Sequence, residues 1–387
     1  MVRSGSMIPQ CFHPKGCREQ ALPFPAMLGH FLPWYTLKGA SYPLSPEEAA
    51  AIPHPPEIED MRHWNDARSG YRRTHLQMPE CGCYDSRDPA VIEWQIRTAV
   101  SHGISGFIVN WYGTNSVENV LTLHWLHGLE KWNREHPEAP FCYCLSFDTQ
   151  AQWPSEGKVP QTLEEDFLYI RDHLIRDAYL CRNGRPLFPV FPYGDQCREL
   201  REILDGVFGE EGADLIWSGA PACKGEDACY TWVRPDAETM NAPDEAYFWS
   251  DPDNAGLQFL QEVLDSANQP PAECSYVMHG VWPGFDNTLV AWAWQSDPNK
   301  PTIRPSIICR ETRAGNTLEQ CWRVLEDYQR AHHAGDPAAA VPVPLIQLVT
   351  WNDYAETSVL EPTRDHGDLD LRRCAAAIRR LRELSSD

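Results

Sequence analysis

TWNDYAETSVLEPT, Thr350 to Thr363, follows the apolar run VPVPLIQLV and sets two acids, Asp353 and Glu356, three residues apart among Trp351, Asn352 and Tyr354. A buried strand that ends at once in carboxylates, an amide and aromatics delivers its polar groups to one end of a sheet. In a barrel of parallel strands that end is where catalytic groups gather. The same letters also spell a helix start, because Asp at a cap position with Glu three residues later forms a capping box. Spacing alone leaves both readings open.

Seven apolar runs precede this one: AMLGHFLPWY (26–35), ISGFIVNWYG (104–113), FCYCLSFD (141–148), PLFPVFPY (186–193), DLIWSG (214–219), ACYTWV (228–233) and CSYVMHGVWPGFD (274–286). Helix-patterned segments separate most of them. The first opens at Asp88-Pro89, carries Val91, Ile92, Ile96, Ala99 and Val100 at helical spacing, and has Gly103 as its C-cap. Others lie around 116–135, 163–177, 196–206, 254–268 and 316–334. The runs are nearly continuous rather than alternating, as in strands covered on both faces. The pattern predicts a single (β/α)8 barrel over 26–387 with extended loops, a doubly wound sheet being the competitor. A Pro-rich stretch reaching about residue 88 reads as a large loop after the first strand, and residues 1–25 as an arm on the surface. No phosphate-binding Gly-rich motif and no fixed-period repeat occurs.

The formal charge of -22, from 55 acids against 33 bases, argues against a nucleic-acid or anionic-membrane surface and for a neutral partner. No window approaches a membrane span, and the opening MVRSGSMIPQCFHPKGCREQ has no apolar run, so the expected location is the cytoplasm, or the periplasm or exterior if an export segment has been removed. Several of the 14 Cys lie in apolar runs, and reduced thiols are expected. Cys81-Gly-Cys83 and Cys142-Tyr-Cys144 lack the spacing of a zinc site, so no metal or other cofactor is expected.

Strand ends supply the candidate site: Tyr35, then Asn110, Trp111 and Tyr112, Asp148, Tyr193, Trp232, Trp282 and Asp286, and last Asn352, Asp353 and Glu356. Carboxylates and amides suit the hydroxyls of a sugar ring, and flat aromatic faces suit its C–H patches. Glycosidic cleavage needs one acid for the leaving oxygen and a second carboxylate, and Asp353 with Glu356 supplies both. Closeness would push their proton affinities apart. His30, inside the first run, reads as a hydrogen-bonded core residue, and His332 and His333 as dipole compensation at a helix end.

TWNDYAETSVLEPT resembles the last-strand motif Trp-Asn-(Asp/Glu)-x-x-Glu of glycoside hydrolase families 71 (α-1,3-glucanases) and 99 (endo-acting α-mannosidases). MLGHFLPWY, YDSRDPAVIEWQIRTAVSHGISGFIVNWYG, NGRPLFPVFPY, WPGFDNT and TRAGNTLEQCW resemble other islands of those families in the same order, over about residues 26–363. The resemblance implies a barrel glycosidase in which Glu356 is the general acid or acid/base and Asp353 the second carboxylate. Asp353 departs from family 99, where Glu is usual, and leaves open an inverting route through water or a retaining one assisted by the sugar's 2-hydroxyl. It implies as substrate an α-linked neutral oligo- or polysaccharide, cut endo. Two rival readings remain at this point: a catalytically silent carbohydrate-binding barrel, and a metal-dependent hydrolase with Asp353, Glu356 and a nearby His as ligands.

Overall fold

The computed structural model describes residues 22–64, 77–148, 162–191, 197–221, 225–234, 249–250, 255–269, 274–288, 290, 307–312 and 315–384. Most of the expected N-terminal arm, residues 1–21, and Tyr193 lie outside them.

Eight parallel strands close into a barrel: β1 (Ala26–Phe31), β2 (Gly106–Trp111), β3 (Cys142–Asp148), β4 (Arg185–Phe191), β5 (Asp214–Ser218), β6 (Ala228–Tyr230), β7 (Tyr276–Val281) and β8 (Leu345–Leu348). Each strand pairs with the next, and β8 pairs back to β1 with Leu28 opposite Gln347. This is the (β/α)8 architecture that the sequence predicts. Among the described residues, besides a short helical turn at Pro46–Ala51, the helices are α1 (Pro89–Ser101), α2 (Val117–Glu135), α3 (Leu163–Tyr169), α4 (Cys197–Phe208), α5 (Ala255–Ala267), α6 (Thr317–His333) and α7 (Leu369–Leu384). The short β5–β6 connection carries no helix among its described residues.

Local chemistry sets these boundaries. Asp88 caps α1 by accepting from the Ala90 N–H, Pro89 stands where a missing N–H costs nothing, and Gly103 follows the helix at φ 81°. The first strand ends earlier than its apolar run, at Phe31, because Pro33 has no N–H to extend the ladder. CSYVMHGVWPGFD, read as one strand, splits: β7 stops at Val281, and Phe285–Asp286 joins a small three-stranded sheet with Ile307–Ile308 and Trp249–Ser250. Gly284 allows that departure, since a Cβ there would lie 2.8 Å from the Ile308 carbonyl oxygen.

Side chains pointing outward from the strands pack under the helices. Phe31 stacks on Phe107 with ring centroids 5.0 Å apart and meets Trp125 of α2 at 5.5 Å. Burying one such ring contributes about 2 kcal/mol. Gly106 lets β2 and β3 approach, for its Cβ would lie 2.4 Å from the Cys142 carbonyl oxygen. At the opposite end from the site, buried Asp214 opens β5, pairs with Arg185 and accepts from the Tyr276 hydroxyl at 3.1 Å. Such bonds at the N-terminal end of a barrel serve stability. No described helix is long and apolar enough to cross a membrane.

Candidate active site

Successive strand residues point to opposite faces, and this period of two decides which strand-end groups share the barrel's interior. In NWY, Asn110 and Tyr112 face one way and Trp111 the other. The Asn110 amide donates to the Tyr112 hydroxyl at 2.6 Å, whereas Trp111 is fully buried and its indole N–H donates to Asn119 of α2 at 3.1 Å. Trp111, expected to touch substrate, therefore anchors a helix instead.

The inner face brings several candidates together. Burial pushes the Tyr112 phenol well above its ordinary value, and the nearby carboxylates of Asp148, Glu118 and Asp353 push the same way. Tyr112 thus lies within electrostatic reach of Asp148 at the end of β3 and of Asp353 beyond β8. Glu118 is ion-paired with Arg62 at 2.6 Å. On β1, the His30 ring lies edge-on to half-buried Trp232, 4.6 Å between centroids, and Phe191 meets the same indole at 5.5 Å. Burial lowers the His30 imidazole to about 4 against the raising effect of hydrogen bonds with the Asn110 and Gln347 side chains, so it is neutral; among the described residues its Nδ1 has no partner. His30 is thus a buried histidine hydrogen-bonded by the Asn110 and Gln347 side chains, as expected.

Beyond β8 the chain turns, and two candidates, Asn352 and Tyr35, tie that turn to the exit of β1. The Asn352 amide bridges to β1's exit, its Oδ1 accepting from Leu32 N–H at 2.8 Å and its Nδ2 donating to Leu32 O and to the Tyr84 hydroxyl at 3.0 Å each. The Tyr35 hydroxyl donates to Asn352 O at 2.9 Å, and its ring stacks on Trp64 at 4.1 Å. Both residues are completely buried, as is Trp282 at 1% exposure. All three were expected to contact substrate; Asn352 and Tyr35 are taken up by bonds that join strand ends, and Trp282 is packed in the hydrophobic core. Asp286 is part-buried, and its Oδ1 accepts from the backbone and hydroxyl of Thr288 at 2.9 and 2.6 Å.

Glu361, which strand-end reasoning missed, organises this layer. Its carboxylate is 1% exposed and accepts four bonds: from Trp351 Nε1 at 2.9 Å, Gln95 Nε2 at 2.7 Å, Tyr354 OH at 2.7 Å and Tyr84 OH at 3.0 Å. Trp351 and Tyr354 flank Asn352 and Asp353, so Glu361 pins the turn on both sides. Burial pushes its carboxyl up to about 7 despite those four donors. An acid inside the apolar string SVLEP was the signal available in the sequence, since Glu is rarely buried without dedicated partners.

Asp353 and Glu356 occupy the turn itself. Asp353 is 4% exposed; its Oδ1 accepts from the Glu356 N–H at 2.9 Å, and the Ala355 N–H also bonds its carboxylate. This is half of a capping box. The reciprocal half is missing, because the Asp353 N–H donates to Thr350 Oγ1 at 2.8 Å and the Glu356 side chain does not turn back to it. No helix follows; residues 354–357 form a turn.

Burial raises both carboxyls, with opposing help for only one. Asp353 is pushed up to about 6, held down from further rise by its two backbone N–H bonds. Glu356 is pushed well above the ordinary carboxyl range by burial and then by the charge of Asp353. The two environments push the proton affinities of the pair apart, with Glu356 the stronger holder of a proton and Asp353 the weaker. An acid and a base can therefore act side by side at one pH. Among the described residues no three of His, Cys, Asp and Glu are grouped to hold a metal ion.

Among solved structures the chain is similar to the family 99 endo-α-mannosidase of Bacteroides thetaiotaomicron in complex with BIS-TRIS-propane, with TM-score 0.57 and 17% identity over 94% of this chain and 98% of that one. A second structure of that bacterium's family 99 endo-α-mannosidase gives TM-score 0.56 at 16% identity, covering 94% and 99%. A glycoside hydrolase-like protein gives TM-score 0.51 at 12% identity over 88% of this chain and 98% of that one. These likenesses establish the fold class. No protein-family model and no curated protein matches the sequence.

Proposed function

We propose that this protein is a glycoside hydrolase that cleaves an α-linked neutral oligo- or polysaccharide of mannan or glucan type, acting endo, with Glu356 as the acid and Asp353 as the second carboxylate. The observation that carries the reading is the unequal environment of the pair: Asp353 has two backbone N–H bonds to its carboxylate and Glu356 has none. The likeness to endo-α-mannosidases over nearly the whole chain supports the substrate class.

Protonated Glu356 gives its proton to the glycosidic oxygen as the C–O bond breaks, so the leaving sugar departs as a neutral alcohol. Ionised Asp353 removes a proton from the incoming nucleophile as positive charge develops at the ring carbon. The short Asp side chain favours water as that nucleophile and therefore inversion, the other route being assistance to the sugar's own 2-hydroxyl. Trp232 offers an apolar face and Asn110 with Tyr112 offers polar contacts, while Asp148 and Asp353 disfavour an anionic sugar.

The test is incubation with α-mannan and α-glucan oligosaccharides, products being followed by proton NMR. Release of a fragment whose first-formed anomer is β marks an inverting α-glycosidase. Calorimetric binding without any product over long incubation would replace the proposal by a sugar-binding barrel.

A further inference from the structure

The Glu356 carboxyl is hydrogen-bonded by no described residue, so the backbone beneath it decides where it points. That backbone is held from outside the barrel. The Glu356 carbonyl accepts from the Asp286 N–H at 2.8 Å, and the Thr357 hydroxyl donates to the Asp286 carbonyl at 2.8 Å. Thr357 itself stands at φ 59°, a left-handed conformation that a β-branched residue keeps only when its surroundings enforce it.

Arg310 is placed to enforce it. Its Nη2 donates to the carbonyls of Thr357 at 3.2 Å and Val359 at 2.9 Å and to Gln77 Oε1 at 3.3 Å, while its Nη1 pairs with Asp370 of α7. Asp370 is held in turn by Arg373 at 3.0 Å. One planar guanidinium thus grips two carbonyls of the turn and a carboxylate of the last helix, a geometry that a single ammonium does not reproduce.

We propose that Arg310, anchored by Asp370, is a positioning residue that holds the left-handed turn at Thr357 and so aims Glu356 at the leaving-group oxygen. The reaction part of this inference rests on the reading of Glu356 as the acid; the structural part does not.

Two variants test it, Arg310→Met and Arg310→Lys, the second keeping a charge for Asp370 without the fork; circular dichroism and thermal unfolding report their folds. In protein with carbon-13 glutamate carboxyls, the Glu356 resonance is assigned by its absence in Glu356→Gln. Loosening the turn admits water, and the Glu356 titration is expected to fall by about one pH unit in Arg310→Lys. An unchanged titration in Arg310→Lys overturns the proposal whatever the activity.

The second readout compares an α-linked mannotetraose or glucotetraose, whichever the wild type cleaves, with the α-fluoride of the corresponding disaccharide, whose leaving group needs little protonation. A misaimed acid should cost about 10- to 100-fold in kcat on the oligosaccharide and much less on the fluoride. Equal losses on both substrates, or none on either, contradict positioning of the acid. Failure of the wild type itself to cleave either would refute the glycosidase reading, and the titration would still decide whether Arg310 holds Glu356.

Discussion

Replacing Glu361 by Gln removes a buried charge while keeping nearly the same shape. The amide oxygen can keep Trp351 and Gln95, and the amide N–H groups can donate to the Tyr84 and Tyr354 hydroxyls, which turn to accept. Burial lifts the Glu361 carboxyl from its ordinary 4.5 to about 7, so between those values the folded protein binds a proton that the unfolded chain has released. Folding stability then falls as pH rises through that window. At 1.36 kcal/mol for each pH unit, the loss is about 3 kcal/mol in full, most of it between pH 5 and 8. Glu361→Gln has no such proton to lose. Urea unfolding of both proteins across pH 5 to 8 should show the variant gaining on the wild type by roughly 2 to 3 kcal/mol. Shifts at Asp353 and Asp214 are common to both proteins and cancel in the difference. A stability difference that stays flat with pH would show that Glu361 is not held up by burial, and the picture of a carboxylate whose four donors do not offset its burial would fail.

Two other expectations concern the turn and its chemistry. Asn352→Leu strips the partners from the buried Leu32 N–H and carbonyl and one of two from the Tyr84 hydroxyl, which keeps Glu361, and should cost about 3 kcal/mol in denaturant unfolding; a cost under about 1 kcal/mol would mean that Asn352 does not join β8 to β1. The pH profile of kcat/KM should fall on the acid side near 6, as Asp353 takes up a proton, and fall again on the alkaline side as Glu356 loses its own; activity flat down to pH 4 would remove Asp353 from the chemistry.

The barrel was legible because its strands announce themselves locally. GFIVNW and CYCLSFD are continuous apolar runs, and Asp88-Pro89 with Gly103 marks both ends of α1 by cap chemistry contained within one segment. The pair Asp353 and Glu356 could be singled out as candidates because type and place after the last strand are local, though spacing left capping open and the family resemblance chose between the readings. What the other strand-end residues do was not local. Trp111 and Tyr112 are neighbours in sequence and point to opposite faces. Asn352 looked like a mouth residue and is spent on Leu32, 320 positions away. Glu361 has no evident role until Gln95, 266 positions earlier, is brought against it. Arg310 lies in no recognisable motif and reaches the turn only because Phe285–Asp286 and Ile307–Ile308 pair beside it. Each of these assignments depends on register and closure of the barrel, which residue types and spacings do not encode one segment at a time.

The proposed role of Glu356 and Asp353 is acid–base chemistry rather than the capping of a turn. The most direct measurement is turnover of the α-linked oligosaccharide cleaved by the wild type, made on Glu356→Gln and Asp353→Asn with unfolding midpoints recorded alongside. Both variants should lose on the order of 100- to 10,000-fold in kcat while staying folded. Wild-type turnover by a folded Glu356→Gln would contradict the assignment.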